Sequence, residues 1–425
     1  MYMPMACGVR FAPAILLVAC ISTTLRAQTV PDISRWTGNA AIAPTQGYSL
    51  GSPITLTWGI IPDGTATGEG GTSNLISSFD ATFGNGGGGS DLTNRPWFTS
   101  LANSFNRWSQ LAGLSYVYSP ADDGVAQLSG NLGILNQRAD VRIGGKNIDG
   151  ASNVLAFNYF PNHADMVIDT ADMALYGQAA NSFRFLRNVV MHEHGHGIGS
   201  SHVVSNNAAF LMEPSINTTF DGPQYHDILI AQRGYGDVNE KSNAGQGNDL
   251  FNRATALGAI PFGSSLSIGN DARDLVVGGT EVDFVSIDDQ TDSDFYSFSV
   301  SGPGTVNLLL EALGQTYTIA NQGGTPASWD TRLRSNLALS LFDDDGTTLL
   351  QSSNVTGLGG NEQISFFLNS PGTYFVQVTG ADNPDTIAVD TQFYALGVQV
   401  VPEPATIAAL TLGVGILLRR RRKNA

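Results

Sequence analysis

The eleven residues from His192 to His202 constrain this chain more than any other stretch. They read His-Glu-His-Gly-His-Gly-Ile-Gly-Ser-Ser-His. His192 and His196 are four apart, so on a helix their imidazoles stand one turn apart on one face and can share a metal ion. Glu193, one position on, can reach a water on that metal without being a ligand. Gly199 tolerates a positive φ, which ends the helix and turns the chain back. His202 then supplies a third nitrogen from the far side. Three histidines and one open position describe a catalytic zinc site, because structural sites are closed by four protein ligands. The five fixed positions of the pattern arise by chance in about three of a million chains of this composition.

The surrounding sequence supplies a scaffold. Phe185, Leu186, Val189 and Val190 form the apolar face of the helix carrying the motif, with Asn181 or Ser182 as its cap and Gly197 and Gly199 at its end. Upstream, residues 54–61 have strand character and Pro62-Asp63-Gly64 stops them. Residues 64–94 are rich in Gly, Ser, Thr and Asn and read as loop. Leu101, Phe105, Trp108 and Leu111 recur at helical spacing, and residues 114–118, 139–144 and 154–160 read as strands. A short helix is expected over 224–233. His194 points off the ligand face and reads as a surface residue. His163 and His226 read as loop or helix residues rather than ligands. Residues 238–249 resemble a linker in composition. Beyond about residue 250 only short strand-like runs appear, among them 294–300, 306–310, 337–342, 364–368 and 374–378, which predicts an all-β antiparallel sandwich.

Charge and cysteine limit the partners and the means of stabilisation. The formal net charge is −16. Residues 1–27 and 402–425 together carry seven basic residues and one acidic residue, so the stretch between them holds 14 basic against 36 acidic residues, near −22. That excludes nucleic acid as a partner, since phosphate binding needs a basic surface. Cys7 and Cys20 both lie in the first 27 residues. The rest of the chain therefore has no disulfide available, and no thiol to block a metal, and must rely on core packing or metal ions. Residues 1–27, with Arg10, an apolar run over 11–21 and Leu25-Arg26-Ala27, read as a secretory signal peptide; an N-terminal anchor is the alternative, though the run is short for a membrane span. Residues 28–50 are polar and extended.

Three segments resemble known families. Pro402-Glu403-Pro404, an apolar stretch over 407–418 and Arg419 to Lys423 resemble the PEP-CTERM sorting signal of Gram-negative bacteria. That resemblance, over 401–425, implies export to the cell surface, outer envelope or medium, transient anchoring in the inner membrane, and processing by an exosortase-type enzyme; a permanent anchor is the alternative. Residues 51–237 resemble the matrixin branch of the metzincin metallopeptidases, on the histidine motif and on Phe210-Leu211-Met212-Glu213-Pro214, which looks like the Met-turn. Phe105 to Trp108, residues 139–143 and residues 155–161 look like that family's first helix, third strand and cleft strand. Residues 250–400 resemble the bacterial pre-peptidase C-terminal domain, on residues 292–298, 341–346 and 370–378.

The matrixin resemblance implies an α+β metzincin-type catalytic domain, with a twisted mixed sheet and an active-site helix, ahead of the β-sandwich. It implies one catalytic zinc on His192, His196 and His202, Glu193 as the base that activates the zinc-bound water, and Met212 beneath the metal. The expected activity is endopeptidase action on a protein or peptide substrate that pairs with the strand at 154–160. Asp169 and Asp172 match the family's acidic calcium ligands, the alternative being solvated turn residues. Phe157 and Val167 stand where histidines of a second, structural zinc are expected, so that ion is not expected here. Ile216 replaces a tyrosine that often lines the specificity pocket. The competing reading is a cell-surface or matrix-binding protein with a vestigial zinc site, against which the intact Glu193 argues.

Overall fold

The computed structural model describes residues 7–10, 33–39, 48–128, 133–383 and 391–402. The expectations for the signal peptide and the sorting segment lie outside the described residues, except for Cys7–Arg10 and Val401–Pro402. Among the described residues no helix is long and apolar enough to cross a membrane.

Strands rich in β-branched and apolar residues, buried on both faces, need cover from two sides. Cys7–Arg10 (β1), Ile54–Ile60 (β2), Leu114–Tyr118 (β3), Val141–Lys146 (β4), Val154–Asn158 (β5) and Met166–Asp169 (β6) form one sheet in the order β1-β5-β6-β4-β2-β3. β3, β2, β4 and β6 are parallel. β5 runs antiparallel to β6, and the backbone of β1 pairs antiparallel with β5. The sheet is mixed, as the matrixin resemblance implies.

Among the described residues the helices are Leu75–Phe83 (α1), Phe98–Leu111 (α2), Met173–Tyr176 (α3), Arg184–Gly197 (α4) and Tyr225–Tyr235 (α5), followed by one irregular turn at Ser242–Gly245. Of these, α2, α4 and α5 follow the periodicity of the sequence. Leu101, Phe105, Trp108 and Leu111 are all buried on the inner face of α2. The indole of Trp108 donates to the carbonyl of Met191 at 3.0 Å, which ties α2 to α4 immediately before the histidine motif.

Two local expectations are corrected. The stretch read as loop contains α1, because Leu75 and Phe79, one turn apart, are buried and Phe79 packs edge-on against Trp97. The Asp63 carboxylate accepts from Ile76 N at 3.0 Å and Ser77 N at 2.8 Å, which satisfies free donors of the first turn. The glycines that hid this helix lie beyond it, at 86–89, all with positive φ. Neither Asn181 nor Ser182 caps α4: Asn181, Ser182 and Phe183 all have left-handed φ, and Phe183 at the cap position gives no side-chain hydrogen bond.

After Val203–Ser205 (β7), the remaining strands are Thr255–Ala259 (β8), Ser265–Ile268 (β9), Val285–Ile287 (β10), Ser293–Val300 (β11), Gly304–Ala312 (β12), Thr316–Asn321 (β13), Ala327–Asp330 (β14), Ser335–Phe342 (β15), Leu349–Ser353 (β16), Asn361–Leu368 (β17), Gly372–Asp382 (β18) and Gln392–Pro402 (β19). They build two five-stranded sheets, β16-β15-β18-β11-β8 and β10-β19-β12-β17 with β9 also on β19. Alternating residues such as Val306, Leu308 and Leu310, and Leu337, Leu339 and Leu341, share one buried cluster. Pairing is antiparallel except for β8 on β11. Asp343 to Gly346 forms a turn between β15 and β16, where Asp345 accepts from the amides of Thr347 and Thr348.

β13 and β14 leave the sandwich. They form a hairpin that pairs with β7 of the first half in the order β14-β13-β7. Ile319 and Trp329 of this hairpin, together with Val277, Phe284 and Phe393, belong to the same buried cluster as Trp108, Met212 and Tyr235. The segment of linker-like composition is packed as well: Asn248 is buried and its Nδ2 donates to Phe295 O at 3.3 Å.

Candidate metal centre

α4 carries His192 and His196 on one face, and the turn at Gly199 brings His202 to meet them. Gly199 has φ of +108°, and a Cβ there would overlap the carbonyl of Ser34, so both conformation and space require glycine. The ligand atoms of the three histidines lie within 4.8 Å of one another. His202 Nε2 is 3.1 Å from His192 Nε2 and 3.1 Å from His196 Nε2. All three residues are buried.

The other ring nitrogens fix the chemistry. His192 Nδ1 donates to Leu211 O at 2.6 Å, His196 Nδ1 to Ser200 O at 2.7 Å, and His202 Nδ1 to Gln322 Oε1 at 2.7 Å. Carbonyl oxygens only accept, so each Nδ1 carries the proton and each Nε2 presents a lone pair. Burial lowers the pKa of all three, His196 to about 3, and the neighbouring His196 and His202 push His192 further down. Three lone pairs aimed at one point repel one another unless a cation sits between them. In a tetrahedral site with zinc–nitrogen bonds of about 2.0–2.1 Å, nitrogens stand about 3.4 Å apart, close to the separations here. The residues present fit a zinc ion.

Glu193 is buried on the same helix, next in sequence to His192. Met212 is buried with its sulfur against Gly195, the residue before His196. Asp227 holds that turn: its carboxylate accepts from Leu211 N at 2.7 Å and Met212 N at 3.2 Å, and from Gln224 N at 2.8 Å as part of the capping box of α5. The role of Asp227 is not legible in the sequence. A carboxylate three residues into a helix signals a capping box, but nothing in the spacing reveals its second set of bonds. Gln322, 120 residues from His202, is equally hidden there.

His194 is not at the surface. It is buried, its Nε2 lies 2.7 Å from the hydroxyl of Tyr116, and its ring packs against Phe105 and Tyr116. The face of α4 opposite the ligands is covered by α2 and β3, so that side of the helix meets protein rather than water. His226 is buried between Phe210 and Trp329.

Asp169 and Asp172 are both buried, which removes the solvated-turn alternative. Asp169 accepts from Ala171 N at 2.8 Å, and Asp172 accepts from Ser152 N at 2.7 Å. Burial, with the charges of Asp169 and Asp149, raises the pKa of Asp172. Phe157 and Val167 pack with Tyr159 in a small separate cluster, and Ile216 packs at the margin of the main core. A second group of converging ligand atoms, Glu240, Asp292 and Asp294, lies where the two halves of the chain meet.

No curated protein matches this chain. Among solved structures, similarity is found to the pre-peptidase C-terminal domain of a collagenase from Bacillus anthracis (14% identity, 34% of this chain and 96% of that one, TM-score 0.20). It is also found to PliG, a periplasmic inhibitor of g-type lysozyme from Aeromonas hydrophila (10% identity, 35% and 98%, TM-score 0.16), and to a β-glucosidase from Paenibacillus barengoltzii (13% identity, 36% and 12%, TM-score 0.17). Likenesses this weak carry no argument. The family comparisons fall on the two halves separately. Residues 292–380 match the bacterial pre-peptidase C-terminal domain, and residues 87–236, which hold all three metal-facing histidines and Met212, match the matrixin family.

Proposed function

We propose that this protein is a zinc-dependent endopeptidase whose metal is held by His192, His196 and His202. The observation that carries the reading is the set of three Nδ1–H bonds to oxygen, which leaves three buried Nε2 lone pairs converging, with that of His202 3.1 Å from each of the other two. The matrixin match over 87–236 supports metallopeptidase chemistry. When bound, zinc supplies a Lewis acid for the scissile carbonyl and acidifies a water. Glu193 takes the proton of the attacking water and returns it to the departing amine. The outer edge of β5, which the backbone of Cys7–Arg10 occupies antiparallel in this structure, orients the substrate once that segment leaves it, an extended peptide pairing there main chain to main chain.

Two finer expectations belong to the same proposal. Calcium at Asp169 and Asp172 is supported by the buried Asp172 Oδ2, which has no hydrogen-bond partner. Export, and processing at Pro402-Glu403-Pro404, rest on the sequence of the two ends.

The test is cleavage of a mixed peptide library by the zinc-loaded protein. Cleavage that stops with a zinc chelator and returns on adding zinc supports the proposal. Absence of cleavage, or cleavage indifferent to the chelator, contradicts it.

A further inference from the structure

His192 and His196 have their Nδ1 protons taken by backbone carbonyls close at hand, Leu211 and Ser200. His202 is different: its Nδ1 proton goes to a side chain, Gln322, that belongs to the β-rich half of the chain. The strand register explains how it gets there. β13 pairs antiparallel with β7 with Ile319 opposite Ser205, Ala320 opposite Val204 and Asn321 opposite Val203. One further step sets Gln322 opposite His202.

The hairpin that delivers Gln322 is anchored independently. Tyr317 packs against Phe210 and Tyr225, Trp329 packs against His226, and Asn206 N donates to Thr318 O at 3.3 Å. These contacts fix the hairpin on the Met-turn and α5, so Gln322 arrives on a docked element rather than a free loop.

We propose that Gln322 is a positioning residue for the third metal ligand, and that the β-rich half thereby completes the metal centre of the first half. The inference rests on the zinc reading of that centre. By accepting the Nδ1 proton, the amide oxygen holds the tautomer that leaves Nε2 free for the metal, and it fixes the rotation of the ring. Losing such a partner typically weakens metal affinity by about 10–100-fold. The functional unit is then larger than the segment matching the matrixin family, because a residue at 322 sets the geometry of a ligand at 202.

The test uses the full chain with Gln322→Leu and Gln322→Glu, and reads zinc affinity by competition with a fluorescent chelator. Gln322 is exposed as a residue, so neither change disturbs the core, and the unfolding temperature of the metal-free protein serves as the folding control. Leucine removes the acceptor, and zinc affinity should fall by about 10–100-fold with the metal-free unfolding temperature unchanged. Glutamate keeps an acceptor and should restore wild-type affinity or exceed it. Wild-type affinity in the leucine variant, or equal losses in both variants, overturns the role of Gln322. Wild-type protein that binds no zinc at all overturns the metal reading and this inference together, a result distinct from the others.

Discussion

Met212 lays its sulfur against Gly195, and a Cβ on Gly195 would overlap it. This contact explains a glycine in the last turn of α4, where alanine would favour the helix by up to about 1 kcal/mol. Both residues are buried, and Trp108 closes the same space. Overpacking a filled core costs about 1–3 kcal/mol, so the balance falls on destabilisation. Gly195→Ala should therefore lower the unfolding temperature and weaken zinc binding, as read by calorimetry and chelator competition. An unfolding temperature at or above wild type would show that Met212 yields freely.

His194 and His196 separate two roles within one helix. His196→Ala should abolish stoichiometric zinc binding. His194→Phe should keep one zinc per chain, because its ring faces Tyr116 and Phe105 rather than the metal. Its cost is in stability, about 1–3 kcal/mol, since the buried Tyr116 hydroxyl loses its partner. Metal analysis and chemical denaturation of the two variants read both effects.

The acidic cluster between the two halves predicts a pH dependence of stability. Burial raises Asp237 to about 6, and burial reinforced by repulsion from neighbouring carboxylates raises Asp292 to about 8 and Glu240 to about 10. Raised carboxylates hold more protons in the folded state than in the unfolded one. Their stabilisation is fully present below about pH 4 and is lost as pH rises through the folded values. In chelator-containing buffer, Asp292→Asn should unfold several degrees higher than wild type at pH 8 and close to wild type at pH 4. The amide oxygen of asparagine still accepts from Asp288 N, the bond Asp292 makes in the native chain. Equal shifts at both pH values would contradict the repulsion argument.

The site was legible in the sequence where spacing alone fixes geometry. Two histidines four apart on a helix, a glycine to turn the chain and a third histidine place three ligands without further help. The same holds for α2, whose inner face follows from Leu101, Phe105, Trp108 and Leu111. What stayed hidden depends on distant partners. Whether the far side of α4 meets water or protein is decided by α2 and β3, so the burial of His194 could not be read from its own neighbours. α1 was masked by the glycines that follow it, although Leu75 and Phe79 carry its apolar stripe. The sandwich strands followed from their alternation, but the departure of β13 and β14 to meet β7 did not. That docking is set by aromatic packing of Tyr317 and Trp329 on residues about 100 positions away, and no local pattern encodes it.

The proposed function stands or falls on Glu193 as the group that moves the proton in a zinc-dependent peptide cleavage. The most direct measurement is zinc content and peptide cleavage of Glu193→Gln beside wild type. The change keeps size and hydrogen-bonding capacity but removes the base, and general-base catalysis contributes about 10²–10⁴-fold. One zinc per chain is expected in both proteins, with cleavage lower by about 10²–10⁴-fold in the variant. A variant that holds its zinc and cleaves as fast as wild type would contradict that role for Glu193.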